Sequence, residues 1–223
     1  MINEFPDFVE IIKVTDTFFA VLLASGFSDR FGSGNKLLAP FRGKPLARHT
    51  LDLVCGMGCF ERIFFIYADN DVAVLAREHA DAGCALTPVF NLSPRNGQGE
   101  SVRLGVKAAD EYLAAAARCC PETNRVPENV YYLFLPCDQP LLDAGTLRLV
   151  LDEARPGCIV EPASHHSPCL FSASFRDELL ALKPNEMPRL LKTRHPGALI
   201  QIEVPNPAVL VDIDTPLDLE RLA

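Results

Sequence analysis

Short, wholly apolar runs alternate along this chain with longer stretches whose apolar positions recur every three or four residues. The runs Phe18–Leu23, Ile63–Tyr67, Leu86–Phe90, Tyr131–Leu135, Cys158–Val160, Cys169–Phe171, Leu199–Val204 and Val209–Val211 predict strands. Helical spacing marks Leu46–Met57, Asp71–Ala82, Ser101–Cys119, Asp143–Ala154, Ser172–Leu182 and Met187–Arg194. Strands without polar alternation are buried on both faces, and strands separated by helices pair in parallel. The pattern therefore predicts an α/β fold with a mostly parallel central sheet. Ligands in such sheets lie beyond the carboxyl ends of the strands.

The chain of 223 residues is 48% apolar, enough for a substantial core without disulfides. No shift in composition marks a linker, so residues 1–223 read as one domain, with residues 1–16 as an N-terminal extension and Pro121–Glu128 as a surface connection. A net charge of −8 argues against a nucleic-acid surface, which needs an excess of Lys and Arg. No run reaches the length of a membrane span, and the opening residues carry acids where a signal peptide carries bases. The expected location is the cytoplasm. The cysteines form no Cys-x-x-Cys pair and sit mostly in apolar settings, which predicts reduced, structural thiols.

The richest local signal follows the first predicted strand. Leu23-Ala24-Ser25-Gly26-Phe27-Ser28-Asp29-Arg30-Phe31-Gly32-Ser33-Gly34-Asn35-Lys36 is a loop of small residues carrying two cations. Such a loop after a strand turns backbone N–H groups outward, and Arg30 and Lys36 add fixed positive charge, which suits a triphosphate. It is not a P-loop, because Asn35 precedes Lys36 and Leu37 follows it. It is not a dinucleotide fingerprint either, because Leu37 stands where the third glycine belongs.

Three further segments carry candidate chemistry. The run Tyr131–Leu135 ends in Pro136-Cys137-Asp138-Gln139-Pro140, where two prolines stiffen the turn around Asp138. Asp138 either caps a following helix or serves as a rigid ligand for Mg²⁺, which takes one or two protein carboxylates with phosphate oxygens. Asp212 and Asp214 alternate at a predicted strand end and so share one face, while Thr215-Pro216 with Asp218 reads as a helix start. Asn91–Glu100 is a glycine-bearing loop running into a long helix, with Gly97 in the loop and Ser101 in the first turn, as a cap or as a contact to a base. His165 and His166 read as hydrogen-bonding or solvated side chains rather than metal ligands.

The loop resembles the signature Leu-Ala-Ala-Gly-x-Ser-x-Arg-Met-Gly…Lys of nucleotidyltransferases related to those of molybdenum cofactor synthesis, with Ser25 for the second alanine and Phe31 for methionine. The loop before Gly97–Ser101, the turn at Asp138 and the closing Asp212-Ile213-Asp214-Thr215-Pro216-Leu217-Asp218-Leu219 follow in the order seen in the molybdenum cofactor cytidylyltransferase family. The likeness runs from about Phe19 to Leu222. It implies a Rossmann-like three-layer α/β/α nucleotidyltransferase fold acting on an NTP with Mg²⁺. By position, Arg30 and Lys36 hold phosphates. Leu23, Ala24, Ser25 and Gly26, with Gly97 and Ser101, contact the base and ribose. Asp138, with Asp212 or Asp214, holds the metal.

Guanylyl members of the family resemble Leu-Ala-Gly-Gly at the first loop, and Ser25 keeps a Cβ there, which favours CTP over GTP. The turn Pro136-Cys137-Asp138 looks more like the guanylyl form. The resemblance implies a phosphorylated small-molecule acceptor, molybdopterin first, and a molybdoenzyme or cofactor-insertion chaperone as partner; a sugar-phosphate or isoprenoid-precursor nucleotidyltransferase of the same group, and an NTP-binding regulator without turnover, are the alternatives. His166-Ser167-Pro168-Cys169-Leu170-Phe171-Ser172 matches the family's acceptor segment in its apolar half, but departs from it at His166 and Ser167. The expected reaction is in-line attack of an acceptor phosphate on the α-phosphorus of CTP, with pyrophosphate leaving. That reaction needs positioning and charge neutralisation rather than a side-chain nucleophile.

Overall fold

The computed structural model describes residues 16–32, 34–119 and 129–222. The predicted connection Pro121–Glu128 and all but Asp16 of the predicted N-terminal extension lie outside the described residues. The described residues begin with β1 (Asp16–Ala24), then a small antiparallel hairpin of β2 (Pro40–Phe41) and β3 (Lys44–Pro45). There follow α1 (Leu46–Met57), β4 (Arg62–Tyr67), α2 (Asn70–Asp81), β5 (Leu86–Phe90), α3 (Gln98–Cys119) and β6 (Asn129–Pro136). The second half runs α4 (Ala144–Asp152), β7 (Ile159–Pro162), β8 (Cys169–Ser172), α5 (Arg176–Leu180), α6 (Arg189–Arg194), β9 (Leu199–Ile202) and α7 (Pro216–Leu222).

Seven strands form one sheet in the order β5-β4-β1-β6-β8-β7-β9. All pairs are parallel except the two made by β8, which runs antiparallel to β6 and to β7. The fold is thus the expected α/β type with a mostly parallel sheet. Alternation along β1 explains the layers. Phe18, Ala20 and Leu22 face one core with α1, α2 and α4, while Phe19 and Val21 face the other with α3, α5 and α6. Helix α3 lies so close to the sheet that a Cβ on Gly105 would sit 2.3 Å from a methyl of Val21.

From β1 the chain moves outward to β4 and β5, then α3 carries it back to β6 on the other side of β1. The strand order reverses between β1 and β6, and a crevice opens beyond their carboxyl ends, as such a reversal requires. Leu23 pairs with Pro136 there. The two predicted site loops, after Ala24 and after Pro136, therefore start side by side.

Four local expectations need correction. Ser172–Leu182 is not one helix: a 3₁₀ turn at Ala173–Phe175 leads into the short α5, and Ser172 belongs to β8. The predicted helix from Met187 begins only at Arg189, after Pro188. Val209–Val211 is not a strand; Pro207–Leu210 forms a 3₁₀ turn with Asn206 capping it, so Asp212 and Asp214 sit on a loop rather than on a strand end. Pro207 fixes a turn-forming φ and offers no N–H to a ladder, which outweighs the apolar run after it. The β2–β3 hairpin carries no apolar alternation and went unpredicted. No helix among the described residues is long and apolar enough to cross a membrane.

Candidate active site

The loop after β1 is shaped by its own polar side chains. Ser28 adopts a φ of 54°, its carbonyl accepts from Phe31 N–H at 2.8 Å, and its hydroxyl oxygen accepts from Lys36 N–H at 3.1 Å. Asn35 caps the short 3₁₀ turn Lys36–Leu38 by accepting from Leu37 N–H at 3.0 Å. Its amide then donates to Asp69 Oδ2 at 3.0 Å, which ties the loop to the start of α2. Lys36 thereby leaves a fixed turn rather than a mobile tip.

Its ammonium meets two of the three predicted acids. Lys36 Nζ donates to Asp138 Oδ2 at 2.6 Å and to Asp214 Oδ1 at 3.1 Å. Burial works against the charge on Lys36, but the Asp138 and Asp214 carboxylates outweigh it and hold its pKa above the ordinary value. Arg30, largely exposed, reaches Asp214 Oδ2 at 3.0 Å. One compact cation between two carboxylates is a preorganised charge cluster at the switch point.

Asp138 does not cap the next helix; Asp143 does, accepting from Thr146 N–H at 2.7 Å. The main chain of Asp138 instead receives the N–H of buried Ile213 at 2.9 Å. That bond sets Asp212 and Asp214 beside the Asp138 turn although they occupy no strand. Asp138 Oδ1 and Asp212 Oδ1 are buried with no hydrogen-bond partner among the described residues. Burial, and secondarily the Asp138 charge, raises the Asp212 pKa above the usual carboxylate range. His165 Nε2 lies 3.3 Å from Asp212 Oδ2 and tempers that effect. The expected helix start follows, with Thr215 N–H donating to Asp218 Oδ2 at 2.8 Å and Asp218 N–H to Thr215 Oγ1 at 3.2 Å.

A second cluster fixes the other wall. Ser25 and Ser101 hydroxyl oxygens are 2.6 Å apart, and the Asn91 amide donates to both at 3.2 Å. Helix α3 starts at Gln98, so Ser101 is not its cap; it lies one turn inside and locks the first loop to the helix. Gly97 has a φ of 81°, and a Cβ there would meet the Asn185 backbone at 3.3 Å. Leu23, Ser25, Gly26, Gly97, Ser101 and Asp138 all face one cavity of about 560 Å³, as do Arg30, Asp212 and Asp214. Lys36 lies behind it in an adjoining pocket that shares Gly26, Arg30 and Asp138, and Ala24 faces a different recess.

A family model described as a MobA-like NTP transferase domain matches residues 20–198. The chain belongs to that family. It is 31% identical over 143 residues to nicotine blue oxidoreductase of Paenarthrobacter nicotinovorans, across 64% of this chain and 60% of that protein. It is also 31% identical over 91 residues to 2-C-methyl-D-erythritol 4-phosphate cytidylyltransferase of Azoarcus sp., across 40% of this chain and 38% of that protein. The matches thus span less than two thirds of either relative. Among solved structures, a nucleotidyl transferase from Methanothermobacter thermautotroptrophicus superposes with a TM-score of 0.70 at 21% identity, covering 92% of this chain and 95% of that one. A 4-diphosphocytidyl-2C-methyl-D-erythritol synthase superposes with a TM-score of 0.58 at 17% identity, covering 92% of this chain and 96% of that one. At those identities the structures speak for the fold alone.

Within this MobA-like domain several polar residues escaped the sequence reading. Asn35, Asp69 and Asn91 position the site without lining that 560 Å³ cavity, and only their turn and cap preferences hinted at it. Glu161 and Lys192 form a buried ion pair, and Lys192 lines the cavity. Their strand and helix spacing resembles any apolar element. Two residues point elsewhere: Lys44 pairs with Asp52, and Arg103 pairs with Glu100 and donates to the Leu182 carbonyl at 2.8 Å. Cys137 is turned into the core, where burial raises its thiol pKa, so it offers no thiolate nucleophile.

Proposed function

We propose that this MobA-like NTP transferase domain transfers CMP from CTP to a phosphate-bearing small molecule, molybdopterin being the acceptor that the sequence resemblance favours. The observation that carries the reading is the Lys36 ammonium held between Asp138 and Asp214 at the switch point. A triphosphate arriving there finds an ammonium and the Arg30 guanidinium already in place to neutralise the leaving pyrophosphate. An acceptor phosphate oxygen forms the new bond to the α-phosphorus, and the bond from that phosphorus to the bridging oxygen breaks. The acceptor arrives as an anion, so the chain need not activate a hydroxyl or thiol.

Mg²⁺ fits the residues present. Two carboxylate oxygens, Asp138 Oδ1 and Asp212 Oδ1, are buried and unpartnered, and the hard oxygen donors match that ion. Asp212 is the better second ligand, because both oxygens of Asp214 are engaged by Lys36 and Arg30. Bound there, the ion would withdraw charge from the phosphoryl oxygens.

CTP is preferred over GTP because the Ser25 hydroxyl is tied back to Ser101 and Asn91, holding its Cβ against the base-side wall. The guanylyl-like residue Cys137 faces the core and cannot read a base. A thermal-shift panel of four NTPs with and without Mg²⁺, followed by pyrophosphate release with molybdopterin as acceptor, tests the reading. CTP with Mg²⁺ should give the largest shift. Absence of a shift with every NTP would overturn nucleotide binding, and a larger shift with GTP would overturn the cytidylyl preference.

A further inference from the structure

The cavity has two chemically different ends. One holds Arg30, Asp138 and Asp214. At the other, α6 sends Arg189 and Lys192 to the wall, one helical turn apart, beside the loop carrying Ser167. Phe134, Cys169 and Met187 line the same cavity.

Lys192 is only 8% exposed, and its ammonium is bonded to the carboxylate of Glu161, itself 2% exposed. It also donates to the His166 carbonyl at 3.3 Å. A buried ion pair is commonly no more stabilising than the apolar residues that would fit in its place, so stability alone does not account for a lysine fixed at a cavity wall. Ser167 Oγ, on the same wall, is buried without a hydrogen-bond partner. Arg189 makes no ion pair among the described residues and is exposed to the cavity. An orphaned hydroxyl and an unpaired guanidinium share this wall with a fixed ammonium, and an anionic oxygen acceptor would satisfy the first two beside the third.

We propose that Ser167, Arg189 and Lys192 form a second anion subsite, which takes an acidic group of the acceptor remote from the phosphate that reacts. The inference rests on the nucleotidyl-transfer reading for the identity of its occupant as the acceptor. It narrows the substrate class to small molecules acidic at both ends with a less polar body that packs along Phe134, Cys169 and Met187. An acceptor whose only charge is the reacting phosphate leaves this wall unsatisfied.

Calorimetric titration of the whole protein with inorganic phosphate, and in parallel with malonate, tests the subsite in two settings. The first is protein saturated with CTP and Mg²⁺; the second is the Lys36→Ala variant without nucleotide. One anion should bind in both settings, and Arg189→Ala should weaken it about tenfold or more, the loss expected for one charge-assisted hydrogen bond. Because removing Lys192 alone strands Glu161, the double variant Glu161→Gln/Lys192→Met replaces the pair with neutral groups of similar volume and should also weaken binding. Tighter phosphate marks a phosphoryl partner and tighter malonate a carboxylate; either supports the subsite. No anion binding, or unchanged binding in Arg189→Ala and in the double variant, overturns it. Failure of CTP and Mg²⁺ to bind would count against the nucleotidyl-transfer reading alone, since the second setting still decides the subsite.

Discussion

The backbone N–H of Ile213 donates to the carbonyl oxygen of Asp138 at 2.9 Å, across 75 residues of sequence (213 less 138). With the Ile213 side chain fully buried beside Phe41 and Leu46, this bond pins the C-terminal segment to the turn after β6. Asp212 and Asp214 flank the pinned residue, so one main-chain contact sets both beside the Asp138 turn, where Asp138 and Asp214 meet Lys36.

Lys36→Ala and Asp138→Ala should each lower turnover by about 10²-fold or more, the usual loss when one preorganised electrostatic contact is removed. Lys36→Arg should not restore it, because a planar guanidinium does not fit where a compact ammonium bridges two carboxylates. Steady-state pyrophosphate release, with circular dichroism to verify folding, checks both. Near-normal turnover in the folded alanine variants would contradict the proposed roles.

Asp212→Asn should raise the melting temperature by a few degrees while weakening the apparent affinity for Mg²⁺. Burial and the neighbouring Asp138 charge disfavour the Asp212 carboxylate, and an amide removes that penalty together with a metal ligand. Thermal melts at neutral pH and Mg²⁺ titrations of nucleotide binding measure the two effects. A variant that melts lower than the parent would show that Asp212 is not a destabilising charge.

Asn91→Ala should destabilise the fold by about 1–3 kcal/mol, the cost of removing a buried amide that serves two hydroxyls and a turn N–H. KM for the nucleotide should rise more than kcat falls, because Ser25 and Ser101 lose their common anchor. An unchanged KM in a destabilised variant would reduce Asn91 to a purely structural residue.

Asp52, on α1, reaches β3 through the Lys44 side chain and α2 through the His79 side chain. Burial opposes its charge, yet the Lys44 and His79 hydrogen bonds prevail and lower its pKa. A lowered folded pKa stabilises above the unfolded value and is lost as pH falls through the folded one. Asp52→Asn should therefore melt below the parent at pH 7, by less than about 1 kcal/mol for so exposed a pair. The gap should close in acid, below the ordinary carboxylate range. A gap independent of pH would assign the loss to packing instead.

Much of this protein is written locally. Helix α1 occupies Leu46–Met57 and β5 occupies Leu86–Phe90, as their apolar spacing predicts, because burial of a face or a stripe imposes that spacing. The hidden elements were those with another source of order. Pro207 diverts an apolar run into a turn, and Ser172 belongs to the antiparallel β8, whose pairing with β6 no local pattern announces.

Residue types and spacing along the chain determined the layered α/β build and named Arg30, Lys36, Asp138, Asp212 and Asp214 as candidates, since small-residue loops and closely spaced acids are local features. Tertiary structure alone decided how those charges are shared: Asp214 is spent on Lys36 and Arg30, while Asp138 and Asp212 each keep a bare oxygen. It also decided that Glu161 and Lys192 face each other within the fold. Electrostatic energy depends on distance in space, and chain order carries that distance only after the sheet has assembled.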